Sequence, residues 1–176
     1  MGYSERAFER VAEEKTMMEK IAHFIPGYHG YQDREKVRET DRLVRDELVR
    51  ILKIGVSNLN SSYSVLVSGN NPLSTEVDRV KLKADRISET VRHAEYGYAG
   101  FFDPVKVKEE ELHALLKFDG GLVSTVQAIT AASESLLKLS REGKDAKDDL
   151  SRLESSLESF DKEFGQRKQF MQGLKE

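Results

Sequence analysis

Two carboxylates fall on positions where a helix should present apolar side chains. In the series Val37, Asp41, Val44, Leu48 the steps of four and three trace one helix face, and Asp41 sits inside it. Leu112, Leu115, Asp119 and Leu122 repeat the pattern around Asp119. A carboxylate in a core stripe must be paired or hydrogen-bonded, because burying the bare charge is prohibitively costly. Candidate partners at that level are Arg38, Arg42, Arg45, Arg92 and His93. Two readings stand: an ion-pair network that fixes helix register, or a polar site for a ligand or metal.

Metal chemistry has one further hint. Glu110-Glu111-Leu112-His113 is a Glu-x-x-His pair, the unit that carboxylate-bridged di-iron bundles use twice, alongside single glutamates from two other helices. Glu89 with His93, and Glu19 with His23, are four apart and share helix faces. One such pair in a Glu-rich chain does not make a centre, and no metal or cofactor is expected. The absence of Cys excludes thiolate catalysis, disulfides and Cys-based zinc or iron–sulfur sites. Nucleophile elbows, phosphate loops, dinucleotide fingerprints and paired-histidine zinc motifs are absent too. Gly97-x-x-Gly100 leads out of a helix rather than into one, so it is no phosphate cradle.

Aromatic side chains gather in two look-alike breaks. They are Ile25-Pro26-Gly27-Tyr28-His29-Gly30-Tyr31 and Tyr96-Gly97-Tyr98-Ala99-Gly100-Phe101-Phe102, with Phe24 just before the first. Helices connected up-down-up-down-up would bring these breaks to one end of the molecule, above Asp41 and Asp119, with His93 one turn below and Phe170 and Met171 close by. Tyr28, His29, Tyr31, Tyr96, Tyr98, Phe101 and Phe102 would then form one surface. It is either a hydrophobic cap over the bundle or a binding surface, since tyrosines combine apolar faces with orienting hydroxyls.

The elements that must position these residues are helices. Pro26, Pro72, Pro104 and Gly143 interrupt the helical pattern, and four breaks make five helices. The first runs from about Ser4 to Phe24, burying Ala7, Val11, Met18, Ile21 and Phe24 or Ile25. The second starts near Asp33 and carries Val44, Leu48, Ile51, Leu59, Tyr63 and Leu66. The third holds an unbroken a/d seam, Leu73, Val77, Val80, Ala84, Ile87, Val91 and Ala94, with Ser74 or Thr75 as its cap. The fourth, from about Lys108, uses Leu115, Leu122, Val126, Ile129 and Leu136; the fifth uses Leu150, Leu153, Leu157, Phe160, Phe164 and Met171. Residues 61–68 alternate with period two and read as either helix or strand. Residues 54–75 carry no charge, and neither do residues 120–133, their expected antiparallel neighbour. The small residues there suit tight packing, or else a homodimer face.

The chain's 176 residues, 34% charged and 38% apolar, fit one elongated all-α bundle with coiled-coil-like packing. Its 28 basic and 31 acidic side chains are interleaved, which argues against a duplex nucleic-acid groove. No apolar run approaches the ~20 residues of a membrane span, and the mixed charge of the first helix argues against a membrane-surface role. A cytoplasmic location is expected.

The two aromatic breaks, taken with Arg38-Glu39-Thr40-Asp41-Arg42-Leu43 and His93-Ala94-Glu95, resemble a family of small helical prokaryotic proteins. That resemblance brings no catalytic residue; it implies only that the aromatic breaks and Asp41 go together. The expectation is a non-catalytic interaction or scaffolding protein that engages a protein partner, with homo-oligomerisation open. The runner-up is a small-molecule- or metal-binding bundle, with its site among Asp41, Asp119, His93 and the tyrosines.

Overall fold

The computed structural model describes residues 3–30, 37–94 and 109–173. Five helices account for nearly all of them: α1 (Tyr3–Phe24), α2 (Val37–Ser68), α3 (Leu73–Arg92), α4 (Glu109–Arg141) and α5 (Lys147–Gly173). The break at Pro104 lies outside the described residues. At ~1.5 Å per residue α2 and α4 each approach 50 Å, so the bundle is long. Among the described residues no helix is long and apolar enough to cross a membrane.

Two of the turns are built alike. After α2 the chain enters the left-handed region at Asn70 (φ 52°), and after α4 at Gly143 (φ 66°). In each, the next amide reaches back to close the helix: Asn71 N–H donates to the Leu66 carbonyl, and Lys144 N–H to that of Leu139. This is the Schellman arrangement, which satisfies the last carbonyls of a helix. The cap of α3 differs from expectation. Pro72 is its first flanking residue, and the Asn71 side chain accepts from the Leu73 amide at 3.0 Å. Ser74 and Thr75 already lie inside the first turn.

Residues 61–68 are helical, within α2. Their serine hydroxyls are satisfied within the helix, Ser62 donating to the Asn58 carbonyl, Ser64 to that of Asn60 and Ser68 to that of Ser64. With the hydroxyls occupied, burial of Leu59, Ser62 and Leu66 at helical spacing prevails over the period-two pattern.

Helices α2 and α3 form one antiparallel hairpin and α4 and α5 another. The hairpins lie side by side, closing a four-helix ring in the order α2, α3, α5, α4. Across the ring the contacts are parallel. Asn58 bonds Ser133 at 3.0 Å and Gly55 faces Ile129, while Arg79 pairs with Glu154 and Lys83 with Glu158. The uncharged stretches of α2 and α4 are therefore neighbours, as expected, but they run in the same direction. All seven α3 seam residues are buried, as are all six apolar seam positions of α5.

The first helix departs furthest from expectation. It lies outside the ring against α4, and its contacts advance together along both helices: Glu14 with His113, Met17 against Gly120, Lys20 with Ser124. Thus α1 runs parallel to α4 and α2, and the strict up-down alternation does not hold. After Ile25 the chain folds back on α1, through Gly27 (φ 84°) and Gly30 (φ 75°), until Gly30 rests on Met18. Packed mainly on α4, α1 buries a narrow stripe. Ile21 and Ile25 are inside, but Val11, expected in the core, is 63% exposed.

Candidate functional site

Asp41 and Asp119 are both buried, and they meet across the parallel seam between α2 and α4. Their bridge is Arg167, which α5 inserts between them. Its Nη1 donates to Asp41 Oδ1 at 2.7 Å and its Nε to Asp119 Oδ1 at 2.8 Å. Arg45, one turn along α2, donates through Nε to the other oxygen of Asp41 at 2.9 Å. Both carboxylates and both guanidinium groups have side chains no more than 4% exposed. Among the described residues two carboxylates face two guanidinium groups, so the charges balance, and that balance is what makes their burial tolerable. Arg167 Nη1 also lies 3.1 Å from the sulfur of Met171, one turn further along α5.

The fold-back after α1 carries Tyr28 into the same place. Its ring is 3% exposed and belongs to the hydrophobic core. Burial pushes its phenol well above the ordinary tyrosine range; the Asp119 carboxylate pushes the same way, and the Arg167 guanidinium opposes both. A residue of a binding surface has to be at least partly exposed, whereas Tyr28 is a buried wall of the ionic cluster. His29, the next residue, is exposed. A depression of about 490 Å³ beside α1 reaches this point, lined by Val11, Met18, Tyr28 and His29 among others.

His93 is not part of the cluster. It closes α3 with its side chain 64% exposed, 3.5 Å from Glu89. The reason is length. Glu89 and Asp85 lie against Lys53, roughly three turns along α2 from Asp41, so α3 ends before reaching that level. Arg92 reaches Glu89, and exposed Arg42 faces Asp46. Of the expected partners whose side chains are described, Arg45 alone contacts the pair. Tyr31, Tyr96, Tyr98, Phe101 and Phe102 lie outside the described residues, as does the side chain of Arg38. Phe170, on the last turns of α5, packs on Phe118 at 5.6 Å between ring centres.

Arg167 was missed, though its signal was present. The fifth-helix seam steps by three and four from Leu150 to Phe164; the next steps fall on residues 167 and 171. An arginine at a seam position, opposite two carboxylates at seam positions, is the complementary half of the anomaly.

The Glu-x-x-His pair does not converge on this cluster. Glu110 is exposed, and His113 Nδ1 approaches Glu14 Oε1 of α1 at 2.6 Å, tying α1 to α4. Among the described residues no group of three His, Asp or Glu side chains could hold a metal ion. Chemically, the cluster is already committed. A general acid or base must reach a substrate proton, whereas each carboxylate here grips a guanidinium in the buried interior. Comparison with protein-family models, curated proteins and solved structures returned no match, so inference about function rests on this geometry.

Proposed function

We propose that this chain is a non-catalytic interaction protein, a stiff helical rod that engages a protein partner through its aromatic, glycine-rich end. The observation that supports this reading is the saturation of the core's ionic cluster. Asp41 and Asp119 have the positions and burial of functional carboxylates, yet both are held by arginines. A cluster in which both carboxylates are held by arginines locks three helices in register, and in this reading it does no chemistry on a substrate. The ligand- or metal-site alternative loses its anchor for the same reason. With Tyr28 committed to the core, the partner-facing residues in this reading are Tyr31, Tyr96, Tyr98, Phe101 and Phe102.

The test is a Tyr98→Ser/Phe101→Ser double variant, followed by melting and by photo-crosslinking in lysate. The reading expects an unchanged melting midpoint and loss of the proteins crosslinked to the unmodified chain. A variant that unfolds would instead assign these rings to a structural cap.

A further inference from the structure

The chain has no cysteine, so its four methionines are its only sulfur, and two of them stand together in α1 as Met17 and Met18. Consecutive helix residues project roughly 100° apart, and each thioether here presses on a different glycine. A Cβ on Gly120 of α4 would meet Met17 Cγ at 2.9 Å and its Sδ at 3.0 Å. One on Gly30, in the fold-back, would meet Met18 Cε at 3.0 Å and its Sδ at 3.2 Å. Between sulfur and glycine backbone there is no room for even one further carbon atom. Methionine suits such a seat, because its flexible, polarisable thioether follows an irregular apolar surface. The two sulfurs thus pin α1 to the ring on one side and to the segment carrying Tyr28 on the other.

Neither pin is sealed. Both methionines are half-buried. Met17 lines an open groove of about 750 Å³ between α1 and α4, and Met18 lines the depression of about 490 Å³ beside α1. A peroxide molecule is far smaller than either. Met171 is the opposite case: it is fully buried, and its sulfur lies 3.1 Å from Arg167 Nη1. Exposure governs how fast a sulfur oxidises, so Met17 and Met18 are open to a reagent from which Met171 is shielded.

We propose that Met17 and Met18 form a paired oxidation site whose modification releases α1 from the bundle. The reagent is a hydroperoxide, of which hydrogen peroxide is the simplest. A sulfur lone pair attacks one peroxide oxygen, and the O–O bond breaks as the S–O bond forms. The other oxygen leaves as hydroxide, takes the proton of the transferred oxygen and departs as water. The thioether has then lost two electrons to become a sulfoxide, and the peroxide has gained them. The new oxygen is a strong acceptor that is costly to hold in an apolar contact, so it turns towards water and lifts the side chain off Gly120 or Gly30. Helix α1 packs mainly on α4, whereas α2 to α5 hold one another through contacts of their own. The ionic cluster joins α2, α4 and α5 and stays in place. Oxidation therefore loosens α1 and leaves the ring standing.

The experiment treats the full chain with hydrogen peroxide, reading oxidation by peptide mass mapping and loosening by amide hydrogen exchange. Met17 and Met18 should oxidise roughly tenfold faster than Met171 in the folded protein, a gap that closes in urea. Exchange in the oxidised protein should quicken across α1 and residues 25–30 and stay slow in α2 to α5. Met17→Leu/Met18→Leu keeps apolar side chains of similar volume without sulfur, so peroxide should leave its α1 protected. Met17→Gln/Met18→Gln puts a permanent polar group in each seat and should loosen α1 with no oxidant, which keeps the test decisive if leucine packs poorly there. Unchanged protection of α1 after both sulfurs are oxidised would overturn the proposal. So would equal loosening of the leucine variant by peroxide, which would place the sensitive sulfur elsewhere, or a glutamine variant whose α1 is as protected as the parent's.

Discussion

Replacing Arg167 by methionine is the sharpest perturbation of this molecule. Methionine approximates the arginine stem, so the substitution removes the charge while leaving most of the packing. It withdraws hydrogen bonds at 2.8 Å from Asp119 and 2.7 Å from Asp41. Asp41 keeps Arg45, but Asp119 is left buried without the guanidinium that balances its charge. Breaking a buried pair by removing one partner costs about 3–5 kcal/mol. For a chain of 176 residues, each kcal/mol is worth about 2–4 °C, so the midpoint should fall by roughly 6–20 °C. The companion variant, Arg167→Met/Asp119→Leu, removes the stranded charge as well. It should recover most of the loss, because replacing a buried pair by apolar groups of similar volume is often neutral or stabilising. Lowering the pH should also narrow the gap between Arg167→Met and the unmodified protein, since a stranded buried carboxyl relieves its burden by taking up a proton. Far-UV circular dichroism during thermal and urea unfolding measures all three species. A single variant melting within ~2 °C of the parent would refute the buried cluster, and a double variant no better than the single would refute its pairwise logic.

Tyr28 should resist ionisation in the folded state, since burial and Asp119 raise its phenol above the ordinary value near 10. The unfolded chain then releases that proton first, so this contribution is fully present below about pH 10 and is lost as pH rises beyond it; in unfolding curves at alkaline pH the parent should lose stability relative to Tyr28→Phe, which has no phenol to titrate. Gly143→Ala should cost about 1 kcal/mol through its positive φ of 66°, because a side chain there meets nothing within 4 Å; a shift in the urea midpoint reads it out. Gly120→Leu should push Met17 away and loosen α1 alone, seen as faster amide exchange across α1 with protection retained in α2 to α5. Equal loss of protection in all five helices would show that α1 is integral to the ring.

Much of the architecture was legible in the residues, because helical periodicity and turn chemistry are local. Each steps-of-three-and-four seam predicted which face is buried, and the breaks at Pro26, Pro72 and Gly143 ended helices where expected. The same logic placed Asp41 and Asp119 inside, 1% and 0% exposed, before any partner was known. An apolar stripe, however, is satisfied by a neighbour running either way. The chain alone therefore did not reveal that α1 runs parallel to α4, or that the chain after it folds back through Gly27 and Gly30 onto α1. Val11 shows the limit: its spacing fits a core stripe, but α1 packs mainly on α4 and leaves it exposed. Arg167 shows the other limit, since it lies 126 residues from Asp41 and only the antiparallel return of α5 beside α4 brings its fork between the two carboxylates. Sequence determined that buried charges exist, through a pattern that each helix carries by itself. Tertiary structure decided which charges meet, because that depends on how far each helix reaches and where the chain reverses.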